Sequence, residues 1–102
     1  MDIEDIFSRP EAVRGIIAIK NLKNNRIYLE KTEDAIASFK KERFNLDLSM
    51  HPARELQEEY TALGLELFTI ELEREANQDE DLDSLLQECK DYYIAKGCKL
   101  YC

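Results

Sequence analysis

The segment that most limits how this chain can fold is a pair of runs rich in β-branched side chains: Gly15-Ile16-Ile17-Ala18-Ile19-Lys20 and Arg26-Ile27-Tyr28-Leu29-Glu30. β-Branching stiffens χ1 and favours extended backbone, so both runs are expected to be strands. Asn21-Leu22-Lys23-Asn24-Asn25 joins them, and the Asn24-Asn25 pair tolerates the left-handed conformations a tight turn demands. The result is an antiparallel hairpin that the remaining elements must cover.

Those elements follow from periodicity and punctuation. Thr32 is expected to cap a helix by accepting a backbone N–H, with Glu33 and Asp34 in the first turn and Ala35, Ile36 and Phe39 as the apolar stripe. Lys40, Lys41 and Arg43 then make the last turn basic, the favourable sign at a helix carboxyl end. His51-Pro52 opens a second helix, with His51 capping and Pro52 in the first position; Leu56, Tyr60 and Leu63 mark its buried face and Gly64 stops it. Phe68, Ile70 and Leu72 alternate with Thr69 and Glu71, as in a strand with one buried face, and residues 73–78 read as polar loop. Asp79-Glu80-Asp81, with Asp83, begins a last helix carrying Leu82, Leu85, Leu86, Cys89 and Tyr93, which Gly97 ends. The acidic run lacks the alternation and glycine of a calcium loop, so it reads as solvated charge complementing the helix dipole.

Residues 1–13 are expected to form a packing arm in which Ile3, Ile6 and Phe7 stand at helical spacing before Pro10 interrupts. The predicted fold class is therefore α+β, a small antiparallel three-stranded sheet flanked by helices in the order (α)ββααβα, forming one domain over residues 1–102.

Charge and cysteine usage narrow the function classes. The chain has 22 Asp and Glu against 14 Lys and Arg, a net charge of -8, which repels phosphate backbones at long range. A protein partner is accordingly expected ahead of a nucleic acid. No stretch approaches the roughly 20 apolar residues of a membrane span, and Met1-Asp2-Ile3-Glu4-Asp5 has the wrong charge for a secretory signal. The expected location is cytoplasmic, without membrane attachment. Cys89 falls on the apolar stripe of the last helix as a small core residue; Cys98 and Cys102 are two thiols with no partner histidine at zinc spacing and do not close a tetrahedral site. The single His51 has no thiol placed beside it by the sequence, and three glycines leave no phosphate-cradling loop.

The order of elements, the Gly15-Ile16-Ile17 and Tyr28-Leu29-Glu30 segments, and the stretch from Met50-His51-Pro52 through Leu67-Phe68-Thr69-Ile70-Glu71-Leu72 together resemble the GIY-YIG nuclease superfamily. The likeness runs from about Arg14 to Cys102, and order and spacing carry it, not one motif. It implies a sheet whose signature tyrosines, a helix arginine and a later helix glutamate converge on one divalent metal and a scissile phosphate. In such a site a metal neutralises phosphate charge, a guanidinium stabilises the transition state and a phenol orients water.

Most of these positions are occupied by other residues here. Ile17 stands where the first signature ends in tyrosine, and Glu30 where the second ends in glycine; Tyr28 alone matches. Ser38 or Phe39, neither of them basic, falls where the helix arginine is expected, Lys90 where the metal-binding glutamate is expected, and Cys102 where the closing asparagine is expected. An ammonium in place of a ligand carboxylate repels a dication by roughly several kcal/mol at contact distance.

The resemblance thus implies a GIY-YIG-like domain that has lost metal-dependent nuclease activity and acts as a binding or scaffold module, a pseudoenzyme with no metal and no cofactor. One alternative is a divalent-metal-dependent DNA endonuclease with a rearranged site, in which Glu30, Glu88 or Asp91 holds magnesium or manganese. Another is a metal-free nucleic-acid-binding module using Lys40, Lys41, Arg43 and Arg54, with Lys90 beside them.

Overall fold

The computed structural model describes Arg9 and residues 11–101. Two strands, β1 (Gly15–Asn21) and β2 (Ile27–Thr32), form the expected hairpin, and Asn25 takes the left-handed turn conformation with φ 61°. Helices α1 (Ala35–Asp47) and α2 (Arg54–Leu63) follow, then a 3-10 turn at Leu65–Leu67, strand β3 (Phe68–Glu75) and helix α3 (Leu82–Ala95). The sheet is antiparallel with order β2-β1-β3. The helical turns expected over residues 2–8 lie outside the described residues.

β1 is central and covered on both faces, which is why Ile16, Ile17, Ala18 and Ile19 run without a polar break and are all fully buried. Ile16 and Ala18 pack with Ile27 and Leu29 of β2 under Leu82, Leu85, Cys89 and Tyr93 of α3. On the opposite face Ile17 packs with Ala35 and Phe39 of α1 and Leu72 of β3, while Ile19 packs with Leu46, Leu56, Tyr60 and Tyr101. Gly15 is required by close approach: a Cβ there would stand 2.1 Å from the Arg74 carbonyl oxygen. The β1–β3 register shifts between Ile16 and Ile17, leaving Glu73 as the extra residue of a bulge.

Four local expectations are corrected. β2 continues to Thr32, whose hydroxyl accepts the Asp34 N–H; Asp34 is the cap of α1 and accepts the Ala37 N–H. α1 runs on to Asp47 because Leu46 extends its buried stripe, so Lys40, Lys41 and Arg43 lie mid-helix and the dipole argument for them fails. β3 extends through Glu75 in place of the polar loop expected from residue 73, its charged residues being held by Lys20–Glu73, Arg74–Glu88 and Arg9–Glu75 ion pairs. α2 begins at Arg54 behind an Ala53 cap, two residues later than a start on Pro52. No helix among the described residues is long and apolar enough to cross a membrane.

Candidate functional site

Alternation along β2 turns Ile27 and Leu29 toward α3 and sends Tyr28, Glu30 and Thr32 to the face covered by α1 and α2. From α1 the inward positions are Ala35, Phe39, Glu42 and Leu46, which places a carboxylate on an otherwise apolar stripe. His51, just before α2, closes over it. The side chains of Glu42 and His51 are 2% and 0% exposed, and they bond through Glu42 Oε2 and His51 Nε2.

His51 has a second fixed bond. Its Nδ1 accepts the Ala53 N–H at 3.0 Å, so that nitrogen is unprotonated and Nε2–H is the donor to Glu42. The expected capping of α2 by His51 is corrected, because Ala53 is the cap, the helix has no side-chain cap bond, and Nδ1 reaches only the cap residue's own N–H; the contact with Glu42 was not legible. The His51 ring also meets Tyr28 edge-on, with centroids 5.1 Å apart. Glu30 sits beside them on β2, its Oε1 3.3 Å from Lys41 Nζ, and the same ammonium is 3.5 Å from Glu42 Oε1.

The electrostatics follow from this enclosure. Burial pushes the Glu30 carboxyl up, the Glu42 carboxylate adds to the effect as acceptor and as like charge, and Lys41 offsets part of it; the pKa rises from 4.5 to about 7. Glu30 Oε2 is buried without a hydrogen-bond partner among the described residues, so Glu42 favours a proton on Glu30 without meeting the geometry of a direct bond. Burial also opposes ionisation of Glu42, but the hydrogen bond from His51, the neighbouring Glu30 carboxyl and the Lys41 ammonium outweigh it and hold its pKa below the ordinary value. Tyr28 is pushed up to about 12, first by burial and then by Glu30 and Glu42, which leaves its phenol protonated and a poor activator of water.

The other positions singled out by sequence are dispersed. Ile17 is cross-strand partner to Glu30 and is sealed in the core under α1. Ser38 bonds its hydroxyl to Thr32 at 2.5 Å. Lys90 lies half-buried on α3, against the sheet face opposite Tyr28 and Glu30, and has no ion pair among the described residues. Glu88 pairs with Arg74 and Asp91 accepts from Gln87, so neither joins Glu30. Cys102 lies outside the described residues; Cys89 is buried in the core as expected and Cys98 is half-buried, both as free thiols.

Three of the four basic candidates already have carboxylate partners: Lys40 is exposed, Lys41 is turned to Glu30 and Glu42, Arg43 pairs with Asp47 at 3.3 Å, and Arg54 pairs with Glu58 at 3.1 Å.

Among the described residues no group of three or more His, Cys, Asp or Glu is arranged to hold a metal, so a divalent ion of the kind the GIY-YIG resemblance implies finds no fitting donor set there. What sequence reasoning missed was Glu42. Its signal was spacing: Ala35, Phe39, Glu42 and Leu46 recur at helical period, and a carboxylate on such a stripe requires a partner.

No protein-family model and no curated protein matches the chain. Two solved structures do match in fold. One is the catalytic domain of the homing endonuclease I-TevI, with a TM-score of 0.64 and 24% identity over 81% of this chain and 86% of that one. The other is a glutamate-to-alanine mutant of the catalytic domain of the same intron endonuclease, with a TM-score of 0.63 and 24% identity over 82% of each chain. The three-stranded antiparallel sheet with three helices, in the order ββααβα, is the GIY-YIG-like fold.

Proposed function

We propose that this GIY-YIG-like domain has lost metal-dependent nuclease chemistry and acts as a binding module for a protein partner. The observation that carries the reading is the closed Glu30–Lys41–Glu42–His51 cluster against Tyr28, which neutralises itself and is shut to solvent at Glu42 and His51. A phosphate approaching β2 from this face would meet two carboxylates and a phenol held protonated, with the one nearby ammonium already paired. Lys90 in place of a ligand carboxylate points the same way, and the pairing of Arg43 with Asp47 and of Arg54 with Glu58, in a chain of net charge -8, supports a protein over a nucleic acid. No cofactor enters this reading.

The test is incubation of the purified chain with single-stranded, duplex and branched DNA in magnesium or manganese. No cleavage above a no-protein control is expected. Metal-dependent cutting that disappears in Tyr28→Phe would overturn the proposal.

One observation favours a rearranged endonuclease as the second reading: Glu30 Oε2 is an orphaned buried oxygen beside a second carboxylate, the kind of atom a cation could satisfy. Calorimetric titration with manganese decides it, because absence of binding at millimolar metal leaves that reading without a ligand set.

A further inference from the structure

A groove of about 390 Å³ lies between α1, α2 and the outer side of β3, lined by Phe39, Arg43, Tyr60, Leu65, Phe68 and Ile70. Its lining is mainly apolar, Leu65 at its rim is half exposed, and none of its residues belongs to the Glu42–His51 cluster. Two properties of β3 set what this groove can hold.

The first is its edge. Among the described residues β3 has β1 as its one strand neighbour. Asn21 N–H donates to the Arg26 carbonyl and Leu22 N–H to the Leu67 carbonyl, so successive β1 residues address β2 and β3 in turn. Thr69, opposite Lys20, therefore turns its backbone groups to β1, and Ile70 turns its N–H and C=O outward along the groove. An added strand could pair there while its alternate side chains enter the groove between the sheet edge and α1.

The second is charge. On the other face of β3, Glu71 and Glu73 share Lys20, two carboxylates against one cation in a chain of net charge -8, while Arg74, which the bulge turns to the same face, is taken up by Glu88 of α3. A second copy of β3 paired about a two-fold axis through Glu71 or Leu72 would set carboxylate against carboxylate, which is unfavourable. A strand with lysine or arginine on that face is complementary.

We propose that the outer edge of β3 and its adjoining groove bind an extended segment of another protein that alternates apolar with basic residues. The inference rests on the binding-module reading and names the partner class for it. The apolar residues fill the groove beside Phe39, Tyr60 and Ile70, the basic ones face Glu71 and Glu73, and the backbone adds a fourth strand.

The experiment uses the full chain and a fluorescein-labelled peptide, Val-Lys-Val-Lys-Phe-Lys-Val-Lys-Val, followed by anisotropy. Controls are a peptide of the same composition with its lysines in one block, and the alternating peptide N-methylated at every second amide. Binding at least about tenfold tighter than either control is expected, a difference of ~1.4 kcal/mol. Ile70→Pro, which removes an outward N–H from an edge strand, should lower affinity by about tenfold or more. Leu65→Lys, at the exposed rim, should lower it too and serves if the proline variant fails to fold by circular dichroism.

Equal binding of the block peptide would show attraction by net charge alone and overturn the proposal, as would no binding. A chain that dimerises in sedimentation, with Leu65→Lys abolishing the dimer, would make a second copy the occupant and equally overturn it. DNA cleavage would defeat the binding-module reading without moving these affinities, so the two failures are distinguishable.

Discussion

Glu30→Gln tests the electrostatics of the buried cluster through a pH dependence. Glu30 has a folded pKa raised from 4.5 to about 7, chiefly by burial and then by Glu42. A carboxyl raised on folding binds more protons folded than unfolded between those two values. Its neutral form is compatible with the fold below about pH 4.5, and stability is lost as pH rises through about 7. At about 1.4 kcal/mol per pH unit, full ionisation of Glu30 costs ~3 kcal/mol at pH 8 as an upper bound, since its side chain is 22% exposed. Glutamine keeps the shape and cannot ionise. It forfeits the ion pair with Lys41, but that lysine is 56% exposed and 3.3 Å away, worth about 1 kcal/mol or less. The expected net gain is about 1–3 kcal/mol at pH 8, narrowing as the pH falls toward 5 where wild-type Glu30 is protonated, a difference of several degrees in Tm for a domain of this size. Urea denaturation of both proteins at pH 5, 6, 7 and 8 measures it. A variant less stable than wild type at pH 8, or a difference that does not change with pH, would refute the reasoning.

Two further outcomes follow from the geometry. Glu42→Ala and His51→Ala each leave a buried polar partner unpaired and should each cost about 3 kcal/mol in urea unfolding. Gly15→Ala drives a Cβ against the Arg74 carbonyl oxygen at 2.1 Å and should cost about 2 kcal/mol or more, with faster hydrogen exchange at Ala76 N–H, which bonds Arg14 beside it.

The hairpin was legible because β1 carries its signal locally: four apolar residues in a row and an Asn-rich turn whose Asn25 adopts the left-handed conformation. The failures have a common cause in contacts from distant residues. Lys40, Lys41 and Arg43 read as a helix end, but Leu46 finds Ile19 and Leu56 and carries the helix one turn further. Glu73, Arg74 and Glu75 read as loop because their partners, Lys20, Glu88 and Arg9, come from elsewhere in the chain. Glu59 gave no sequence signal, yet its carboxylate accepts from Asn21, Asn24, Arg26 and Tyr101 and ties the hairpin turn to α2. At the candidate site, sequence identified Tyr28 and Glu30 as neighbours on β2, but the charge that answers Glu30 comes from Lys41, and the acid that raises it from Glu42.

The Glu42–His51 pair also bears on whether the cluster exists for stability. Burying a hydrogen-bonded ionisable pair is no better than filling the space with apolar side chains, and often costs a few kcal/mol relative to them. A simple core plug would therefore be served as well by leucine and phenylalanine. The double substitution Glu42→Leu with His51→Phe removes both partners together and leaves no orphan, so it should fall far short of the sum of the two alanine variants and come within about 1 kcal/mol of wild type or above it. It also removes one of the two causes that hold Glu30 protonated. Burial remains, so the pH dependence of stability should persist in weakened form, and it should vanish once Glu30→Gln is added. Persistence at full strength would mean that burial alone sets the Glu30 titration and that Glu42 has no part in it.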